Sequence, residues 1–222
     1  MITVCSLTRV ARPFKHINSG EGGFLICDGA EDMARAIMLS GSYMLFEKHR
    51  AAPPVETFAQ IKYETPNISG RMDNLRAAIL RPQLRDLAQQ AARWNARYKV
   101  LADGLADTPG LTLVERPPEE EFVASSFQFL LLDWSKTAVN DVVARCAKRG
   151  VELKWFGGAE PVGFTSRYDS WRYAPSEPMP ASDRVLAGII DIRLPLTFCL
   201  EDCALIARII RSEVSAVFQA ST

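Results

Sequence analysis

The residues whose types and spacing could do chemistry begin with Lys15, in the run Phe14-Lys15-His16-Ile17-Asn18-Ser19-Gly20-Glu21-Gly22-Gly23. A lysine becomes a catalyst when a folded pocket lowers its pKa or ties it up as an imine, because only the neutral amine attacks carbonyl carbon. Taken alone, a lysine before a glycine-rich turn is more often a solvated loop side chain, so the surrounding elements decide its meaning. Other chemistry is thinly supplied. The chain has two histidines, His16 and His49, and five scattered cysteines, Cys5, Cys27, Cys146, Cys199 and Cys203. No paired cysteine clusters suggest zinc, and an odd, dispersed set of thiols argues for reduced cysteines in a cytoplasmic protein.

Composition narrows the function classes. Across 222 residues, 26 Lys and Arg balance 26 Asp and Glu, and 48% of residues are apolar. That describes a soluble globular chain of one large or two small domains. The charges alternate in sign without a basic stripe that would follow a phosphate backbone, so no nucleic-acid partner is expected. No apolar run is long enough to span a bilayer. The first fourteen residues do not form a signal peptide, since Arg9 and Arg12 fall where its apolar centre would sit. They show little periodicity of either kind, as if the chain began in the middle of something.

The elements that must position Lys15 follow in order. Phe24 to Cys27 reads as a short buried strand closed by Asp28-Gly29, and Glu31 to Leu39 as a helix with Met33, Ala34, Ile37 and Met38 on one face and Gly41 as its stop. Residues 42–69 read as a long loop, broken by Pro53-Pro54 and Pro66, whose aromatic residues Tyr43, Phe46, Phe58 and Tyr63 favour an ordered segment packed on something. Leu84, Leu87, Ala91, Trp94, Tyr98, Leu101 and Leu105 then mark one face of a long helix, which Pro82 should start or kink. Met72, Leu75 and Ile79 continue its pattern upstream. Beyond Thr108-Pro109-Gly110, strands are expected at 111–114, 126–132, 151–156 and 192–196, with helices at 138–149, from Ser182 or Asp183 to Ile190, and at 201–218. Residues 157–180 form a second long loop, whose aromatic side chains are expected to pack against the long helix.

Three blocks can now be joined. Lys15-His16-Ile17-Asn18-Ser19-Gly20-Glu21-Gly22-Gly23, then Gly70-Arg71-Met72 leading into Leu75-Arg76-Ala77-Ala78, then Gln83-Leu84-Arg85-Asp86-Leu87 resemble, in order and spacing, the DegT/DnrJ/StrS-type aminotransferases. The resemblance implies an α/β fold, that of the pyridoxal-phosphate transferases of the aspartate-aminotransferase type (fold type I), here as a partial large domain, a long linking helix and a complete small α/β domain. It divides the chain into residues 1–69, the truncated tail of the cofactor-binding domain; 70–107, the connecting helix; and 108–222, the small domain. It implies the cofactor pyridoxal 5'-phosphate and the transfer of an amino group from an amino acid such as glutamate to a keto sugar or similar carbonyl. Lys15 would form the imine and, once freed and neutral, act as the base that moves a proton between substrate carbon and cofactor. The glycine turn would let the chain fold back under the cofactor through backbone angles that other residues avoid. Asn67 and Arg71 would lie near the cofactor phosphate of the partner subunit, because family members are homodimers with shared sites. A surface arginine capping a loop is the alternative for Arg71. Ser69 stands where the family usually has its asparagine, and the loop from Trp155 to Tyr173 departs from the pattern common in sugar aminotransferases.

The same resemblance exposes what these residues do not supply. Nothing before Phe14 matches the family's glycine-rich phosphate loop, its ring-stacking aromatic residue or the acid that keeps the pyridine nitrogen protonated, and Ala11-Arg12-Pro13 stand where its phosphate-binding serine falls. The expectation is therefore a carboxy-terminal fragment, inactive alone because a single lysine on an incomplete sheet gives neither orientation nor electrostatics. The alternatives are a non-catalytic binding or assembly module that pairs with a full-length aminotransferase, or the product of a broken reading frame.

Overall fold

The structure is a computed structural model that describes residues 8–9, 16–20, 23–41, 45–120, 122–162, 165, 167–173 and 175–221. It divides into two compact units, Met1–Ala88 and Gln89–Thr222.

In the first unit, strand β1 (Thr8–Arg9) pairs antiparallel with β2 (Gly23–Phe24). The expected buried strand is shorter and its continuation is bare: Leu25 and Ile26 are exposed, at 41% and 65%. A buried strand needs neighbours on its edges and faces, and a two-residue partner covers neither. Helix α1 (Ala30–Leu39) forms as its spacing requires and buries Ala34, Ile37 and Met38. They pack with Phe46, Phe58 and Ile61, the Phe46 and Phe58 rings stacking at 4.3 Å. The segment read as loop therefore contains a helix, α2 (Phe58–Glu64), entered from Pro53-Pro54 through a 3₁₀ turn. Tyr63 stays exposed.

Helix α3 (Asn74–Arg85) is capped by Asp73, whose carboxylate accepts the Arg76 amide at 2.8 Å. That bond from the Arg76 amide, helped by the Arg76 guanidinium, holds the Asp73 carboxyl below the usual range. Pro82 lies inside α3, and the interruption falls at Asp86, four residues later, where the chain turns before α4 (Leu87–Leu105). The break thus falls inside the stretch from Leu84 to Leu105 rather than at Pro82, where a start or kink is expected.

In the second unit, β3 (Thr112–Leu113), β4 (Ser126–Leu130), β5 (Lys154–Trp155) and β6 (Ile189–Arg193) form an antiparallel sheet in the order β3-β4-β6-β5. Because β6 runs against both its neighbours, β4 and β5 are parallel across it, and α5 (Lys136–Lys148) joins them as a split β-α-β unit. Phe127 and Phe129 alternate inward from β4 and are fully buried. They meet Val139, Val142 and Cys146 of α5, Ile190 and Ile192 of β6, and Cys203, Ala207, Ile210 and Val214 of the last helix, α7 (Leu200–Ser221). Leu101 and Leu105 of α4 complete this core. Helix α6 (Pro180–Gly188) starts two residues before the expected Ser182 cap, with Pro at its first turn, where the missing N–H costs no hydrogen bond. It ends early as well, so β6 begins at Ile189 rather than Ile192. Gly188 accounts for that boundary, since a side chain there would sit 2.5 Å from the Leu131 carbonyl oxygen.

Candidate active site

Lys15 lies outside the described residues, as do Glu21 and Gly22 of the glycine turn. The residues that directly follow Lys15 are described. Ile17 is buried against Leu80 of α3, with Met72 and Leu87 packed around the pair. One residue on, Asn18 is held by a side chain. The Asn18 amide donates to Gln83 Oε1 at 2.8 Å, and Gln83 Nε2 donates to the Asn18 carbonyl at 2.8 Å and to the Ile79 carbonyl at 3.0 Å. Only one orientation of the Gln83 amide satisfies all three, because its nitrogen faces two carbonyl oxygens and its oxygen faces an N–H. Gly20 has φ of +89°, a conformation that suits glycine and strains other residues. The three sequence blocks thus meet around Leu80: Ile17 and Asn18 from the first, Met72 from the second, Gln83 and Leu87 from the third.

Asn67 and Arg71 come together in a second feature of the same unit, the turn that closes α1. The Leu39 carbonyl accepts the amides of Ile68 and Gly70, each at 3.3 Å, and the Ser40 carbonyl accepts that of Arg71 at 3.1 Å. Arg71 Nη1 donates to the Gly41 carbonyl at 2.8 Å, and Asn67 Oδ1 accepts the Ser69 amide at 2.9 Å. Ser69 has φ of +52° and Gly41 φ of +101°. A side chain on Gly41 would meet Ser69 Cα, Asn67 Oδ1 and Arg71 Nη1 within 3.0 to 3.3 Å, so glycine lets this turn close without crowding or strain. Among the described residues, the bond that orients Arg71 is made to a backbone carbonyl, so it leaves the positive charge of the guanidinium uncompensated. An exposed guanidinium beside an amide suits a phosphate oxygen in chemistry. These residues fit the phosphate end of the expected cofactor.

The loop after β5 differs from expectation. Trp155 donates its indole N–H to the Ala187 carbonyl at 2.8 Å and packs on the core of the second unit. Trp171 and Tyr173 stack on each other at 5.8 Å and remain exposed, at 42% and 83%, rather than packing on a helix. Arg167 orders the loop beside them: it grips Asp169 with two bonds of 3.0 Å and reaches Asp183 of α6 at 2.9 Å. Among the described residues no group of three potential metal ligands occurs, and no helix is long and apolar enough to cross a membrane.

Sequence reasoning singled out Lys15, Asn67 and Arg71 but gave Gln83 no role. Its signal was its place in the third block, directly after a proline.

The antiparallel sheet with its split β-α-β unit makes this an α/β protein, and its fold matches part of that of the pyridoxal-phosphate transferases of fold type I. The sequence profile of the DegT/DnrJ/EryC1/StrS aminotransferase family matches residues 12–211, and the chain belongs to that family. Comparison with curated proteins finds no match. Among solved structures, it is similar to DesV of S. venezuelae, with 20% identity over 91% of this chain and 49% of that one and a TM-score of 0.67. It is also similar to 3-amino-5-hydroxybenzoic acid synthase, with 20% identity, 92% and 53% coverage and a TM-score of 0.65. DesI, solved in the presence of its TDP-sugar product, gives 16% identity, 93% and 49% coverage and a TM-score of 0.63. At these identities the likeness is one of fold. The chain spans about half the length of the solved structures it matches.

Proposed function

We propose that this chain carries the amine-bearing half of a pyridoxal-phosphate aminotransferase site that moves an amino group from an amino acid such as glutamate to a keto sugar. The observation that carries the reading is the family match, which runs through Lys15, Asn67 and Arg71 alike. DesI, which shares the fold, is described with a TDP-sugar product, which favours a nucleotide-linked sugar as the acceptor. When bound, the cofactor supplies an electron sink at the carbon that gains or loses the amino group. Lys15 holds the cofactor through its side-chain amine and, when released, moves the proton at that carbon. Arg71 and Asn67 hold a phosphate, in this subunit or in the partner of a homodimer. Residues 1–69 belong to the cofactor-binding domain, 70–107 to the connection and 108–222 to the small domain.

As a 222-residue chain the protein is expected to be inactive, because one amine and one phosphate turn neither orient a substrate nor stabilise developing charge. The assay is release of 2-oxoglutarate from glutamate with pyridoxal phosphate and a nucleotide-linked keto sugar. No release above the Lys15→Ala background is expected, and Lys15-dependent turnover by the chain alone overturns the inactivity. Mixing with a full-length family member tests the second reading, an assembly module. The exposed Leu25, Ile26, Tyr63, Ile68 and Leu75 of the first unit favour association. Co-elution on size exclusion supports that reading, and a soluble monomer that captures no partner counts against it.

A further inference from the structure

We propose that Gln83 is the positioning residue of the Lys15 segment, acting through the backbone of Asn18. The inference rests on the reading of Lys15 as the cofactor-holding amine. A lysine side chain has four rotatable bonds, and its amine can be presented reproducibly only if the main chain it leaves from is fixed. The first glycine of the glycine-rich run, Gly20, stands five residues after Lys15, and glycine leaves the backbone the widest choice of angles. Two contacts counter that freedom. Ile17 is 9% exposed against Leu80, itself 1% exposed, which seats one side chain of the segment on α3. Gln83 then closes on both polar groups of Asn18, its oxygen on the N–H and its nitrogen on the C=O, as a neighbouring strand would.

The bond to the Ile79 carbonyl keeps the Gln83 amide in register with its own helix, so α3 acts as the fixed body and residues 17–18 as the held one. Gln83 reaches the segment from 65 residues away in sequence, with no charge involved. Asn18 and Gln83 are both only partly buried, so the bonds are not needed to satisfy groups cut off from water. What the bonds provide is placement.

Two variants and two readouts test this on the purified chain. Gln83→Met keeps the length and removes both donor and acceptor; Gln83→Glu keeps the acceptor for the Asn18 amide alone. The first readout is hydrogen exchange of the Asn18 amide. The second is capture of pyridoxal phosphate by Lys15 on borohydride reduction, mapped by peptide mass spectrometry across a series of pH values, with helix content as the folding control.

In the wild type, Lys15 is expected to be captured ahead of the other lysines. In Gln83→Met, Asn18 exchange should rise on the order of tenfold, as loss of hydrogen bonds from a held amide gives. The Lys15 preference should fall by a similar factor and its pH profile should move toward that of a free lysine, with Gln83→Glu between the two. Unchanged Lys15 capture and pH profile in Gln83→Met, beside a wild type that does prefer Lys15, overturns the positioning role and leaves the proposed function standing. A wild type with no Lys15 preference overturns the proposed function and the positioning role with it, even where Asn18 exchange responds to the substitution.

Discussion

Gly41→Ala tests the turn that gathers Asn67 and Arg71. Two effects add at this position. The backbone sits at φ of +101°, where a side chain costs on the order of 1–2 kcal/mol. The new Cβ would also stand 3.0 Å from Ser69 Cα, a main-chain atom that cannot rotate aside, and 3.3 Å from Arg71 Nη1. Relief requires residues 67–71 to move off, which breaks the Arg71 bond to the Gly41 carbonyl and loosens the amides of Ile68 and Gly70, at about 1 kcal/mol for each bond lost. The total is about 2–4 kcal/mol. Gly150→Ala is the control for the dihedral effect alone, since Gly150 has φ of +81° and nothing within 4 Å of its Cβ position. Urea unfolding followed by helix content should show Gly41→Ala destabilised by at least 1 kcal/mol more than Gly150→Ala. Native-state exchange should show the Ile68, Gly70 and Arg71 amides losing protection. Equal destabilisation of the two variants refutes the close packing of this turn.

Further outcomes follow from the second unit. Arg97 is 8% exposed and donates to the carbonyls of Arg93, Phe198 and Leu196 at 2.7, 2.8 and 3.2 Å. Arg97→Met should therefore cost about 2–3 kcal/mol in urea unfolding and raise proteolysis near 196–199; a neutral substitution would show the clamp is idle. Burial, with the charge of Glu213 adding to it, pushes the Cys146 thiol up from 9.0 to about 12. The folded state keeps a proton that the unfolded chain releases near pH 9, so this contribution to stability is whole below pH 9.0 and is lost as pH rises toward 12. Urea midpoints measured above pH 9 should fall less steeply in Cys146→Ala than in the wild type, and parallel curves would contradict the assignment. At neutral pH, alkylation should reach the exposed Cys199 well before the buried Cys146 and Cys203.

Legibility in the sequence tracked the range of the interactions. Helices α1, α5 and α7 each carry an apolar stripe on one face, so their own residues announce them. Helix α2 was missed because seven residues behind two prolines hold only Phe58 and Ile61 as periodic signal, and its stability comes from the Phe46 ring 12 residues away. Strand β6 slipped by three residues because the apolar run from Gly188 onward has no phase of its own; its start is set by the Leu131 backbone against Gly188. The fate of Leu25 and Ile26 depended on pairing partners, which no local pattern reports. At the site, the three blocks were readable as a resemblance, but the grip of Gln83 on Asn18 joins residues far apart in sequence and surfaced only in three dimensions.

The most direct measurement of the central claim is the map of lysines that capture pyridoxal phosphate under borohydride in the wild type and in Lys15→Ala. Lys15 is expected to carry most of the label, and Lys15→Ala to lose it without gain at Lys48, Lys62, Lys99, Lys136, Lys148 or Lys154. Label spread evenly over those lysines, with Lys15 no faster than the rest, would contradict the assignment of Lys15 as the amine around which this half-site is built.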